Sequence, residues 1–196
     1  MIRPIVAYGS PVLKKKAENI SEEYPNLSKL IEDMWETMYA SNGVGLAAPQ
    51  IGLSLRIFIV DSAPFASDNE LDPDEVKILE SFKKVFINPK MIMEEGDSWS
   101  FNEGCLSIPE VREDINRKEQ ITIQYRDEKF KLHTDVLNGL TARVVQHEYD
   151  HIEGVLFTDH LSSLKRRLIK NKLSIISKGL IKVDYSMKFP NKSKSK

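Results

Sequence analysis

The sequence predicts an α+β fold in which antiparallel strands wrap around a central helix, with a further helix near each end of the chain. Three observations support this prediction. Residues 139–153 place apolar side chains on more than one face of a helix, as expected in the middle of a domain. Short apolar or alternating runs typical of strands follow one another between residues 55 and 134. The chain has 196 residues, 41% of them hydrophobic, which is enough for one domain with a buried core.

The first helix is predicted to begin near Asn26 and to end at Asn42. Its apolar residues recur at helical spacing, so that one face can pack against the core. They are Leu27, Leu30, Ile31, Met34, Trp35 and Met38.

Residues 43–52 contain three glycines, two alanines and one proline. This composition makes a poor helix or strand interior, but it lets the backbone pass very close to another group. A tight connection between helix and strand is the alternative interpretation. A phosphate-binding loop is excluded, because no Gly-Lys-Ser/Thr follows. Gln50 is the one side chain here that both donates and accepts hydrogen bonds.

The middle of the chain is predicted to be mainly β-structure. Residues 55–60 form a buried strand, and the polar, acidic residues 61–80 form a surface excursion. Short strands follow at residues 85–88, 91–94 and 99–101, and a glycine-kinked strand at 102–109 carries Cys105. Residues 121–125 and 129–134 are predicted to form a hairpin.

The C-terminal part of the chain is basic. Residues 161–196 contain eleven Lys or Arg against Asp184 alone, whereas the first 160 residues carry 17 basic and 28 acidic side chains. Apolar residues at helical spacing predict a helix over residues 162–178, ended at Gly179. We therefore expect one catalytic domain over residues 1–180 and a basic, flexible tail over 181–196, disordered from 191 onward. The basic region is either simply solvated or lies on an anionic surface such as RNA.

The single cysteine and the lack of targeting signals indicate the cellular compartment. Cys105 is the one cysteine, so no intramolecular disulfide can form. Neither a secretory signal nor an apolar run of membrane-spanning length is present. We expect a cytoplasmic protein without a membrane partner and without sequence-specific nucleic-acid binding.

The central helix carries the sequence His-Glu-x-x-His. Residues four apart lie one above the other on a helix, so His147 and His151 direct their imidazoles to one point and Glu148 lies beside it. Two imidazoles form half of a metal site, and the carboxylate can exchange a proton with water there. The alternative is a chance pattern on a solvated surface helix.

A catalytic metal needs a third protein ligand and one position left open. Cys105 is the candidate, because the preceding glycine permits close approach, although a lone cysteine is also commonly a small buried hydrophobe. A thiolate favours soft divalent ions such as Fe²⁺ or Zn²⁺.

Three stretches together resemble the signature motifs of the peptide deformylase family, in the family's order. They are residues 43–50 (GVGLAAPQ), 103–107 (EGCLS) and 146–151 (QHEYDH). The likeness extends over nearly the whole chain, which resembles type I members of the bacterial or organellar kind. It implies a metallohydrolase that removes the N-formyl group from the initiator formyl-methionine of nascent polypeptides and releases formate. The implied cofactor is one divalent metal ion, Fe²⁺ first, with Zn²⁺, Ni²⁺ or Co²⁺ as alternatives.

The resemblance also implies roles for individual residues. Cys105, His147 and His151 would bind the metal, and Glu148 would move the proton. The Gln50 amide and the Leu106 backbone N–H would stabilise the charge on the formyl oxygen. The peptide is expected to lie extended along the backbone of residues 43–45, which includes Gly45. Val44, Leu140 and Val144 are expected to line the methionine slot, with Arg143 at its mouth.

Two other functions remain open on the sequence alone. The first is a zinc-dependent metallopeptidase that uses a carboxylate ligand such as Glu153, with Cys105 inert. The second is a non-catalytic module in which four protein ligands enclose a structural metal. The basic C-terminal helix is expected to dock near the ribosomal exit, where formylated chains emerge.

Overall fold

The computed structural model describes residues 1–68 and 71–190 and confirms the α+β fold. The helices are α1 Leu27–Ala40, α2 Pro73–Ser81, α3 Gly139–Glu153 and α4 Ser163–Ser177. The strands are β1 Ile5–Val6, β2 Gly45–Ala47, β3 Ile57–Asp61, β4 Lys83–Cys105, β5 Ile108–Arg126, β6 Leu132–Asn138 and β7 Met187–Lys188. No helix in these described ranges is long and apolar enough to cross a membrane.

The main sheet holds the central helix. It has the order β2-β3-β4-β5-β6, and all neighbouring strands are antiparallel. Helix α3 packs against this sheet, where Val145 and Ile152 join Phe58 and Phe86 in one apolar cluster. The helix bounds agree with the prediction, and Gly154 ends α3 in the left-handed conformation (φ 77°) that glycine adopts without strain.

The predicted separate strands between residues 83 and 105 are one continuous strand. Strand β4 is interrupted in register between Ile87 and Lys90 and again between Glu95 and Ser98. The residues that indicate turns in the sequence therefore lie in β-bulges, which bend the strand without ending it. The hairpin of β5 and β6 is present, with longer strands than predicted.

The acidic excursion is more ordered than its composition suggests. It contains a 3-10 helix, Ala63–Ser67, and helix α2, neither of which was predicted. Asp72 caps α2 by accepting a hydrogen bond from the N–H of Asp74 (2.9 Å). The buried Ser62 hydroxyl donates to the carbonyl of Leu79 (2.9 Å), which ties the two pieces together.

The segment predicted as a flexible tail begins at residue 181 and contains strand β7. Strand β7 pairs in parallel with β1, and the N–H of Ile5 donates to the carbonyl of Ser186 (2.9 Å). Side chains of residues 181–190 alternate between half-buried and exposed, as in a strand packed on one face. The prediction of a tail rested on the basic residues of this segment, whereas its alternation is what determines the structure. The predicted disorder of residues 191–196 lies outside the described residues.

Candidate active site

Two elements bring three candidate metal ligands together. Helix α3 carries His147 and His151 on one face, with ring centroids 5.0 Å apart. Strand β4 ends at Cys105, whose Sγ lies 3.3 Å from Nε2 of His151. The three ligand atoms all lie within 4.8 Å of one another. The fold thus brings together the three residues that the sequence marked as ligands, although Cys105 lies 46 positions before His151.

Glu103 orients His147 from behind. Its Oε2 lies 2.9 Å from Nδ1 of His147, so Nδ1 is engaged and Nε2 is left for a ligand. Glu103 is buried and also accepts hydrogen bonds from Arg117 (2.7 and 3.1 Å) and Arg143 (3.0 Å). Burial alone would raise the pKa of Glu103, but the hydrogen bonds from His147 and Arg117 hold it well below its ordinary value. The sequence motifs assigned Glu103 no role, although it stands in the same motif as Cys105.

The charge network continues away from the cavity. Arg117 also donates to Asp150 (2.7 Å), and His160 lies 2.8 Å from the same carboxylate oxygen. Burial by itself lowers the pKa of Arg117, but its two carboxylate partners raise it above the ordinary value. These groups are paired behind the candidate ligands, so they support the site and do not face the cavity.

The three ligand residues fit a divalent cation. Burial would raise the pKa of the Cys105 thiol, but the charge of His151 and the hydrogen bond with His147 lower it to about 5. The thiol is therefore deprotonated near neutral pH, which is the form that binds metals. The pKa of His147 is raised against the effect of burial by Cys105 and Glu103, so a metal ion would replace protons that this cluster otherwise holds.

Glu148 lies against the backbone of Gly45. It is buried, and its Oε2 has no hydrogen-bond partner among the described residues. Burial raises the pKa of Glu148 to about 7. A carboxyl group with this pKa can both accept and return a proton near neutral pH.

Gln50 and Leu106 flank the candidate ligands. The Gln50 Oε1 accepts a hydrogen bond from the N–H of Ala47 (2.8 Å), and its Nε2 lies 3.5 Å from the Cys105 Sγ. The amide is thereby fixed with its donor toward the cluster. Leu106 lies in the turn between β4 and β5, directly after Cys105.

One cavity of about 450 Å³ is lined by Gln50, Cys105, Leu106, His147 and Glu148, together with Val44, Gly45 and Val144. Two predictions need correction. Leu140 lies outside this cavity and lines a separate depression with Trp99, because it lies at the start of α3, about two turns before His147. Arg143 lines the cavity but is only 1% exposed, since Glu103 and two backbone carbonyls hold its guanidinium in the interior and not at the mouth.

Three aromatic residues line the cavity without having been predicted from the sequence: Phe65, Phe101 and Tyr185. Phe65 comes from the 3-10 helix of the excursion, and its ring meets Phe101 edge to face at 6.4 Å. Tyr185 comes from the C-terminal segment. The regions that contain Phe65 and Tyr185 were interpreted from their charged residues. In each region an isolated aromatic residue was the available signal for a side chain that lines a cavity.

The positions of the remaining carboxylates bear on the two alternative functions. Glu153 pairs with Lys16 (2.7 Å) and Arg56 (2.6 Å), so the carboxylate expected in a metallopeptidase is not in the cluster. Over residues 1–68 and 71–190 the cluster contains three ligand residues, whereas the structural-metal alternative requires four. The arrangement therefore matches a site with one open position.

Comparison with known proteins agrees with this geometry. A family model described as polypeptide deformylase matches residues 2–167. The peptide deformylase of Christiangramia forsetii is 62% identical over 196 residues, all of both chains, and that of Flavobacterium johnsoniae is 59% identical over 189 residues, 96% of each chain. The crystal structure of a peptide deformylase from Legionella pneumophila, 36% identical, superposes with a TM-score of 0.76 over 92% of this chain and 98% of that chain. The chain therefore belongs to the peptide deformylase family, whose metal-dependent enzymes remove the formyl group from nascent polypeptides.

Proposed function

We propose that this enzyme deformylates N-formyl-methionyl nascent peptides with Cys105, His147 and His151 as the ligands of one divalent ion. The observation that carries the proposal is that these three donors meet within 4.8 Å of one another, and that two of them, Cys105 and His147, line one cavity with Glu148. Fe²⁺ is the proposed ion, with Zn²⁺, Ni²⁺ or Co²⁺ as substitutes, because thiolate and imidazole suit these metals. When bound, the ion supplies a Lewis acid that activates water for attack on the formyl carbon.

Glu148 is proposed to carry the proton. It accepts a proton from the attacking water and delivers it to the nitrogen of the leaving methionine. Burial of the carboxyl supports this role, because it raises the pKa of Glu148 to about 7. With that pKa the group can accept the proton from water and release it to the leaving nitrogen near neutral pH.

Gln50 and Leu106 are proposed to stabilise the negative charge that grows on the formyl oxygen. The Gln50 Oε1 is already engaged by Ala47, so its Nε2–H₂ is the end that faces the cluster; one hydrogen contacts the Cys105 Sγ and the second is the proposed donor. The Leu106 backbone N–H is the second donor. One such donor is typically worth roughly 3 kcal/mol of transition-state stabilisation.

The peptide is proposed to lie along β2. This strand is at the end of the sheet order and pairs with β3 on one side, so its other edge can hydrogen-bond an extended chain independently of sequence. Val44, Gly45 and Val144 then line the slot for the methionine side chain, together with Phe65 and Phe101.

The basic helix α4 is proposed to dock near the ribosomal exit, and the enzyme to work in the cytoplasm, where formylated chains emerge. Support comes from four cationic side chains that are exposed on α4: Arg166, Arg167, Lys170 and Lys172.

Formate release tests the catalytic proposal. Protein purified without oxygen should release formate from a formyl-Met dipeptide and leave the peptide bond intact. Cys105→Ser should lose metal, whereas Glu148→Ala should retain metal and lose turnover. Peptide cleavage without formate, or the reverse metal contents in the two variants, would refute the proposed roles.

A further inference from the structure

Tyr185 lies in the segment after α4 and lines the same cavity as Cys105 and Glu148. Its hydroxyl donates a hydrogen bond of 2.8 Å to the carbonyl oxygen of Leu106. The residue lies beyond the part of the chain that matches the family model, which ends at residue 167. None of the roles proposed above uses this side chain.

The segment that carries Tyr185 is held in place on both sides. Strand β7 begins two residues later, and the N–H groups of Ile5 and Ala7 donate to the carbonyls of Ser186 and Lys188 (2.9 Å each). The half-buried Met187 packs against two of the apolar clusters of the core. The Tyr185 ring therefore lies two residues before an anchored strand, which fixes its position relative to the site.

The turn that contains Leu106 is fixed by residues outside its own hairpin. The Ser107 carbonyl accepts a hydrogen bond from the backbone N–H of Tyr8 (2.8 Å), and the Leu106 carbonyl accepts the one from Tyr185. The peptide planes on the two sides of Leu106 are joined only through its φ and ψ, so anchoring the carbonyl plane removes one of the rotations by which the Leu106 N–H could turn away.

We propose that Tyr185 is a positioning residue for deformylation. Its hydroxyl holds the Leu106 turn so that the Leu106 N–H points at the formyl oxygen, and its ring forms one wall of the substrate cavity. The inference rests on the proposed role of the Leu106 N–H. Burial and the nearby Cys105 charge raise the pKa of Tyr185, which keeps the hydroxyl protonated as a donor.

Tyr185→Phe removes the hydroxyl and keeps the ring. We expect kcat for a formyl-Met dipeptide to fall about five- to tenfold, as expected for one lost hydrogen bond, with KM changed less than about twofold. Tyr125→Phe is the matched control, because the Tyr125 hydroxyl donates a bond of equal length (2.8 Å) to Asp135 and does not line the cavity. It should leave kcat unchanged.

Amide hydrogen exchange gives a second readout that does not depend on turnover. The Leu106 amide should exchange faster in Tyr185→Phe than in the wild type and the Tyr125→Phe control. An unchanged kcat in Tyr185→Phe, or an equal loss in Tyr125→Phe, overturns the positioning role while wild-type formate release leaves the proposed function standing. A wild type that releases no formate removes both.

Discussion

The Glu148 carboxylate packs directly on the backbone of Gly45, which leaves no room for a side chain. A Cβ atom at Gly45 would lie 2.5 Å from Oε1 and 2.8 Å from Cγ of Glu148. Glu148 is buried and cannot swing into solvent to relieve the contact. The glycine is therefore required by the carboxylate beside the candidate metal ligands, and the two motifs that carry them are coupled in space.

Gly45→Ala should displace Glu148 without touching the metal ligands. We expect kcat for formate release to fall by about 100-fold, because a shift of about 1 Å in a catalytic group has effects of that size. Metal content, measured by elemental analysis, should stay at the wild-type level. Wild-type turnover in this variant would show that the position of Glu148 does not matter.

Burial of Glu148 should make the metal-free protein less stable as pH rises. Its folded-state pKa is about 7 against an ordinary 4.5, so the folded state holds the proton more tightly than the unfolded state. The resulting decrease in the free energy of unfolding is absent below about pH 4.5 and complete above about pH 7, where it reaches at most about 3 kcal/mol.

Glu148→Gln removes this charge and should abolish turnover. Its free energy of unfolding, measured with urea in the metal-free protein, should exceed that of the wild type at pH 8 and equal it at about pH 4.5. A stability difference independent of pH would contradict a buried, titrating carboxyl.

The extent to which the sequence predicted this structure depends on how local each signal is. The bounds of α3 and the facing of His147 and His151 follow from helical spacing and from Gly154, all within one short segment. The burial of Arg143 depends on Glu103, 40 positions away, and on the carbonyl of Trp99. Nothing within a few residues of Arg143 indicates that partner, so its ordinary preference for the surface gave the wrong placement.

The C-terminal segment illustrates a different limit. Its alternation of apolar and polar residues was visible, but the charge of the region favoured a solvated tail. A two-residue strand is stable here because β1 supplies its partner from the other end of the chain. Such a pairing has no signature within either segment.

Glu103→Gln should weaken metal binding and destabilise the fold. His147 would lose the group that orients it, which typically costs about 10- to 100-fold in metal affinity. Arg117 and Arg143 would keep buried charges with one carboxylate fewer, at a cost of about 3–5 kcal/mol. Metal titration and urea unfolding would measure the two effects.

Glu113→Gln is the matched control on strand β5. Glu113 pairs with Lys165 at 3.2 Å near the surface, and such pairs contribute at most about 1 kcal/mol. Its metal affinity should equal that of the wild type. Equal behaviour of the two variants would mean that Glu103 supports neither the ligand nor the buried arginines.

Phe65 should favour methionine over an isosteric side chain without sulfur. A thioether gains roughly 0.3–1.5 kcal/mol from contact with an aromatic ring, and Phe65 and Phe101 offer two rings at the cavity. Phe65→Leu should therefore lower the ratio of kcat/KM for formyl-Met to formyl-norleucine dipeptides, by up to about tenfold. An unchanged ratio with both substrates slowed equally would assign Phe65 a packing role.

Docking of α4 on the ribosome can be tested without disturbing the cavity. Deletion of the C-terminal region is unsuitable, because it removes Tyr185 as well as the basic helix. Replacing Arg166, Arg167, Lys170 and Lys172 with Gln removes four exposed charges and leaves the buried face of α4, Ile169, Leu173 and Ile176, intact. Ribosome binding should weaken and lose most of its salt dependence, because fewer counterions are released from RNA phosphates.

The control keeps the charges and changes their chemistry: Lys170→Arg with Lys172→Arg should bind ribosomes as the wild type does. Formate release from a dipeptide should be equal in all three proteins, since these side chains do not line the cavity. Release from ribosomes that carry formylated chains should slow in the Gln variant alone. The Gln variant could instead co-sediment with ribosomes as well as the wild type at every salt concentration. The charge of α4 would then contribute nothing to docking, and the role of the helix would be to pack its apolar face against the core.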